Sequence, residues 1–221
     1  MYKACIFDLD GTLTDTLESL TYSVNETLKE LGLSCITGEQ CRAFVGNGAR
    51  YLLEKALAAA GDEKLTQIEE AMRVYGRVFQ KNCTYRVKPY EGILELLKTL
   101  KEQGILLAVL SNKPHLRTLD VVDAFFEKDT FTYVQGQMEG IPRKPNPTAV
   151  WMIAEKLGAD PKECLYVGDS DVDMETAGAA DVESVGVTWG FRSKEVLKAH
   201  GAKHIIDHPE ELVSIIKEKG V

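Results

Sequence analysis

Asp8 and Asp10 stand one residue apart in the string Cys5-Ile6-Phe7-Asp8-Leu9-Asp10-Gly11-Thr12. Strand alternation puts both carboxylates on one side and turns Leu9 toward a core. Carboxylates this close repel unless a cation or a shared proton relieves them. A hard dication such as Mg²⁺, held by carboxylate and phosphate oxygens, is a natural partner. The same string also reads as a solvated strand-end turn, because Asp-Gly is a common turn pair. A second acidic group follows another apolar run, in Leu165-Tyr166-Val167-Gly168-Asp169-Ser170-Asp171-Val172-Asp173. There a helix is expected to start near Asp173, where its amide dipole favours negative groups. One such cluster is explained by helix capping; two, each at the end of an apolar strand, are harder to dismiss that way.

Two further strings add donors and cations. Leu110-Ser111-Asn112-Lys113 ends the most apolar run of the chain in small hydrogen-bonding residues, suited to the oxygens of a tetrahedral anion or, equally, to a helix N-cap. Pro142-Arg143-Lys144-Pro145-Asn146-Pro147 holds two cations in a chain stiffened by three prolines. A held lysine there can neutralise a developing anion, while the plainer reading is a solvated loop.

The elements that must position these residues follow from hydrophobic periodicity. Strands are expected at 4–7, 106–110, 133–135, 165–167, 184–187 and 204–206, several of them apolar throughout as strands buried on both faces should be. Helical stripes lie between them at 92–103, 147–157, 174–180 and 209–217, with Pro147, Pro161 and Pro209 where helices should start. Alternation of this kind predicts an α/β, Rossmann-like parallel sheet covered by helices, whose ligands sit outside the carboxyl ends of the strands. Residues 16–88 break the pattern. They contain no convincing strand and read as consecutive helices at 16–31, 38–44, 49–60 and 65–79. The expected division is therefore an α/β core domain, 1–15 and 89–221, with an inserted helical cap domain, 16–88.

In order and spacing the four strings resemble the motifs of the haloacid dehalogenase superfamily, in its phosphoglycolate-phosphatase-like branch. The match runs along essentially the whole chain, and although each motif is short, their joint occurrence is specific. The resemblance implies a Mg²⁺-dependent phosphatase in which Asp8 is the nucleophile and Asp10 the general acid and base. It implies Mg²⁺ on the Asp8 carboxylate, the Asp10 carbonyl and Asp169, with Asp173 behind them holding a metal-bound water or Lys144. Gly11, Thr12, Ser111, Asn112 and Lys144 are then the groups around the transferring phosphoryl oxygens. Asp171 and Lys113 are expected to be loop residues. The string Val45-Gly46-Asn47-Gly48-Ala49-Arg50 is similar to a stretch in the caps of phosphoglycolate phosphatases. It implies 2-phosphoglycolate as substrate, with Asn47 and Gly48 at the site and Arg50 as partner of its carboxylate; a plain turn with Arg50 in solvent is the competing reading.

Composition bounds the rest. The 221 residues, 44% hydrophobic and 27% charged, are enough for one full α/β domain and a smaller companion. A formal charge of -8 argues against nucleic acid or anionic lipid as partner; the resemblance implies a small phosphorylated metabolite as substrate, and a monomer or homodimer is expected. Cysteines 5, 35, 41, 83 and 164 are odd in number and form no CxxC, so neither a disulfide framework nor a zinc site is expected. The opening apolar run is too short for a secretory or membrane segment, and a cytoplasmic location is expected. A phosphomutase of the β-phosphoglucomutase type, a pyrophosphatase or a nucleotidase shares the core motifs. A non-catalytic binding protein is disfavoured, since every expected catalytic residue is present.

Overall fold

The computed structural model describes residues 2–218. In chain order the elements are β1 (Ala4–Phe7), β2 (Thr14–Asp15), α1 (Leu17–Glu30), α2 (Gly38–Phe44), α3 (Gly48–Ala59), α4 (Ile68–Asn82), β3 (Lys88–Pro89), α5 (Ile93–Glu102) and β4 (Leu106–Pro114). They continue with α6 (His115–Phe125), β5 (Tyr133–Gln137), α7 (Thr148–Leu157), β6 (Cys164–Gly168), α8 (Asp171–Ala179), β7 (Glu183–Val187), α9 (Lys194–Ala199), β8 (His204–Ile206) and α10 (Glu211–Glu218). Among the described residues six strands form one parallel sheet in the order β5-β4-β1-β6-β7-β8, a Rossmann-like α/β fold.

The apolar run of β1 is explained by burial on both faces. Cys5 and Phe7 pack into one layer with Leu96, Leu97 and Leu100 of α5. Ala4 and Ile6 face the opposite layer with Val150 and Ile153 of α7. The strand order reverses beside β1, and that is where the carboxyl ends of β1, β4 and β6 form a crevice.

Helices α1 to α4 leave the sheet and bury their own core, built from residues such as Val24, Leu28, Leu53, Leu57 and Phe79. The chain passes to and from this four-helix unit through a two-stranded antiparallel ribbon that pairs Thr14 with Pro89 and Asp15 with Lys88. Helices α6 and α9 and the ribbon lie beyond what the periodicity predicts. The start of α8 at Asp171 is earlier than expected because Ser170 caps it: Ser170 Oγ accepts from the Asp173 N–H, and the Asp173 carboxylate accepts from Ser170 N–H. No described helix is long and apolar enough to cross a membrane.

Candidate active site

Asp8 continues β1 by one residue. Its N–H donates to Val167 O at 2.9 Å, so its side chain emerges at the sheet's carboxyl edge, only 8% exposed. Asp8 Oδ1 accepts from the Leu9 N–H at 2.7 Å and lies 3.0 Å from Lys144 Nζ. Leu9 is fully buried, and its carbonyl accepts from the N–H groups of Leu13 and Thr14 at 3.0 Å each, which closes the turn. Gly11 sits in that turn at φ +89°, and a Cβ there would lie 2.4 Å from Asp169 Oδ2. Only glycine lets the two acidic strand ends approach so closely.

The end of β6 supplies the other carboxylates. Asp169 Oδ1 accepts from Thr12 Oγ1 at 3.0 Å, and Oδ2 from the Phe191 N–H at 2.7 Å. Asp173 Oδ1 accepts from Lys144 Nζ at 2.7 Å and from the Tyr166 hydroxyl at 3.2 Å; its Oδ2 accepts from Ser170 Oγ at 2.6 Å. Lys144 Nζ also donates to Leu110 O at 3.2 Å, so this ammonium joins the ends of β1 and β4 to the first turn of α8.

One carboxylate oxygen each from Asp8, Asp169 and Asp173 falls within 4.8 Å of the others. Burial, then the charges of Asp173, Asp169 and Asp10, push the Asp8 carboxyl well above its usual range, against the pull of Lys144. Asp169 is pushed up to about 7 by burial and by Asp173, against the Phe191 and Thr12 hydrogen bonds. Lys144, despite its burial, is held well above the ordinary lysine range by Asp173 and Asp8. A desolvated set of hard oxygen donors with one ammonium among them is short of positive charge, and a divalent cation fits it.

The floor opposite is set by β4. Its strand continues through Ser111, Asn112 and Lys113 to Pro114, so this string is strand and not the N-cap of a helix. Ser111 Oγ accepts from the Lys113 N–H at 3.2 Å. Asn112 Nδ2 donates to Gly46 O at 3.0 Å and Lys144 O at 3.1 Å, while its Oδ1 accepts from the Lys144 N–H at 2.9 Å. The amide is thus a strut between the Lys144 loop and the four-helix unit. Lys113 Nζ donates to both oxygens of Asp10, at 2.6 and 2.9 Å, with only 1% of its side chain exposed.

A partly open cavity of about 50 Å³ lies between these groups and the four-helix unit, whose wall there is largely apolar: Leu20, Val45, Leu52, Tyr75 and Phe79, joined by Phe191 from the core. The unit is held over the site by reciprocal bonds. Arg192 Nη1 donates to Arg42 O at 2.9 Å and Nη2 to Val45 O at 2.7 Å, at the end of α2. Arg42 Nη1 in return donates to Gly190 O at 3.1 Å.

The family profile described as haloacid dehalogenase-like hydrolase matches residues 5–187. The chain belongs to this family. Phosphoglycolate phosphatases from Colwellia psychrerythraea and Aquifex aeolicus are 30% and 32% identical to it, each over 97% of this chain and over 97% and 96% of their own. Among solved structures, a protein from Lactobacillus delbrueckii subsp. bulgaricus superposes with a TM-score of 0.92 at 33% identity, covering 97% of this chain and 98% of that one. A predicted phosphoglycolate phosphatase from Haemophilus somnus does so with a TM-score of 0.90 at 29% identity and 97% coverage of both.

In this haloacid dehalogenase-like hydrolase Asp8, Asp10, Ser111, Asn112, Lys144 and Asp169 all line the one cavity, with Gly11, Thr12 and Asp173 directly behind it. In the four-helix unit Gly48 lines the cavity but Asn47 does not. Arg50 is turned outward: Nη2 meets Glu69 at 2.7 Å and Nη1 meets Glu54 at 3.9 Å, with 45% of the side chain exposed. Lys113 is no loop residue, because the strand carries it into the site. Asp171 lies in the first turn of α8, paired with Arg192 Nε at 3.1 Å. Three features at the candidate site escaped sequence reasoning: Lys113, Tyr166 and the Gly190-Phe191-Arg192 loop. The last follows a strand end, as the acidic motifs do, and its glycine between two aromatics was the available signal. A Cβ at Gly190 would lie 2.3 Å from the Asp169 Cβ.

Proposed function

We propose that Asp8 attacks the phosphorus of a small phosphomonoester, most suitably 2-phosphoglycolate, and that the enzyme passes through an aspartyl-phosphate. The chain is a phosphatase of the haloacid dehalogenase-like family, and the observation that carries the finer reading is the juxtaposition, around one cavity, of the buried Asp8-Asp169-Asp173 cluster and Lys144 with the Asp10–Lys113 pair. Asp8 Oδ1 is tied by the Leu9 N–H and Lys144, while Oδ2 accepts no hydrogen bond among the described residues and is free to attack. As the new O–P bond forms, the ester P–O bond breaks and its oxygen takes a proton from Asp10. In the second displacement water attacks the phosphorus, Asp10 takes its proton and keeps it for the next turnover, and Asp8 leaves as the free carboxylate. Lys144 and the backbone N–H groups at the strand ends hold the phosphoryl oxygens throughout. Asp8, the Asp10 carbonyl and Asp169 would hold Mg²⁺, with Asp173 behind; the ion supplies charge that offsets repulsion between nucleophile and phosphate.

The helical unit, 16–88, acts in this reading as a cap that excludes bulk water and admits only small leaving groups, consistent with the small cavity. The names of the relatives and the Gly46-Asn47-Gly48 turn against the cavity support 2-phosphoglycolate. The test is phosphate release from 2-phosphoglycolate, glucose phosphates, pyrophosphate and nucleotides, each with Mg²⁺ and with excess EDTA. Sustained, Mg²⁺-dependent release is expected, fastest from 2-phosphoglycolate. Preference for another compound discards that substrate, and a need for an added bisphosphate turns the reading into a mutase.

A further inference from the structure

A substrate whose leaving group is a carboxylate-bearing alcohol needs a cation beside that group, and Arg50 is not there. Its guanidinium is paired with Glu69 and Glu54 on the outer surface. The described residues lining the cavity include two cations, Lys113 and Lys144. Lys144 is committed to the nucleophile side, with its Nζ on Asp8, Asp173 and Leu110 O. Lys113 sits on the other side, against Asp10, the residue that serves the leaving oxygen.

An ammonium has three N–H donors. Two of those on Lys113 go to Asp10, and among the described residues the third donates no hydrogen bond: the charge faces the ring of Phe79, 5.0 Å to its centroid, with the neutral Cys83 thiol near enough to feel it. A ring face is a weak partner for a desolvated cation compared with an anionic oxygen. The walls beyond, Leu20, Leu52 and Tyr75, bring no anion. A buried cation with a donor to spare, standing where the charged strand ends meet the apolar wall, offers a place for a second anion.

We propose that Lys113 anchors the second negative charge of the substrate, a carboxylate within a few atoms of the ester oxygen, while still holding Asp10 by its other donors. This specificity role rests on the phosphatase reading above and replaces the one expected for Arg50. The chemical class recognised is a short phosphomonoester of an anionic alcohol. Neutral alcohols leave the spare donor facing the ring and bind less well. Arg143, exposed at the rim with Nη1 3.6 Å from where a Gly48 Cβ would stand, is the competing cation.

The experiment compares three Mg²⁺-loaded reactions: 2-phosphoglycolate, its neutral counterpart 2-hydroxyethyl phosphate, and 4-nitrophenyl phosphate, whose leaving group needs little acid assistance. In wild type, kcat/KM is expected to be higher for 2-phosphoglycolate than for the neutral ester. In K113Q that ratio falls by roughly tenfold to a hundredfold, the scale of one hydrogen bond to a charged group, and the change is carried by KM for 2-phosphoglycolate. K113R keeps part of the ratio, while R50Q and R143Q keep all of it. If K113Q lowers both alkyl esters equally and spares the aryl ester, Lys113 only positions Asp10 and the proposal is overturned. A ratio that collapses in R143Q instead also overturns it. Should K113Q not fold, glycolate must inhibit wild-type 4-nitrophenyl phosphate hydrolysis competitively where ethylene glycol does not, and equal inhibition by the two rejects the anchor. Wild-type hydrolysis of the aryl ester without preference for the carboxylated one sinks Lys113 alone; no hydrolysis of any ester sinks the phosphatase reading with it.

Discussion

The two walls of the cavity are built on opposite principles. The strand ends bring charge: of three clustered buried carboxylates two, Asp8 and Asp173, pair with Lys144, and a fourth, Asp10, pairs with Lys113. The helical unit contributes rings and aliphatic side chains, and its one arginine expected at the site, Arg50, is spent on surface glutamates. The difference separates two tasks. Chemistry needs charges placed on rigid strand ends, where a glycine permits approach that no other residue would. Exclusion of water needs only an apolar surface that closes, and it tolerates many sequences.

Substitution on the charged wall should therefore cost activity out of proportion to stability. Asp8→Asn is expected to lower kcat by about four orders of magnitude on every ester, since the amide keeps the shape without the nucleophilic oxygen. Thermal unfolding should show the fold intact. Residual activity near wild type removes Asp8 as nucleophile. Lys144→Met should be the most destabilising change at the site, by about 3–5 kcal/mol, because it leaves Asp8 and Asp173 buried without their cation. A loss below about 1 kcal/mol in denaturant melts would mean that the cluster relaxes into solvent.

The charge shortage also sets a pH dependence. Asp169 binds its proton up to about pH 7 when folded, against an ordinary value of 3.8 for the unfolded chain. Its stabilising protonation is complete below about pH 4 and is lost as pH rises through 7, so the EDTA-treated protein should melt several degrees lower at pH 8 than at pH 5. Asp169→Asn should reduce that slope without abolishing it, because the Asp8 carboxyl is raised as well and contributes with the same sign, and saturating Mg²⁺ should remove it. A metal-free protein that melts higher at pH 8 contradicts the assignment. On the outer wall Arg50→Ala should change stability by less than about 0.5 kcal/mol and leave kinetics on all esters as they were, because its partners are solvent-exposed. A rise in KM confined to carboxylated esters would return Arg50 to the site.

Legibility in the sequence follows the same division. The six sheet strands were readable because burial on both faces makes several of them apolar throughout, Asp8 and Asp169 because carboxylates interrupt such runs abruptly, and Lys144 because it stands among prolines. Helix α6 was not, since it starts at His115 directly after Pro114, without the polar turn that normally announces a helix. Lys113 was misplaced for the same reason: β4 runs four residues past Leu110, as far as the pairing of Pro114 with Gln137, and the first three of them, Ser111, Asn112 and Lys113, are polar and line the cavity. Arg50 lies only two residues beyond the cavity-lining Gly48, about half a helical turn, and its direction depends on Glu54 and Glu69, of which Glu69 belongs to a different helix. Periodicity reports what a residue is buried against, and a long exposed side chain is decided by whichever partner the tertiary fold brings near.

The two-residue ribbon between Thr14–Asp15 and Lys88–Pro89 brings both ends of the helical segment side by side. A segment with adjoining ends is a cassette: it can be cut out, replaced or lengthened while the sheet keeps its connectivity. A transplant would need few matching features, chiefly carbonyls at the end of its second helix for Arg192 and an arginine to meet Gly190. With that clasp respected, the same phosphoryl-transfer machinery could be given a new clientele by exchanging one continuous stretch of gene.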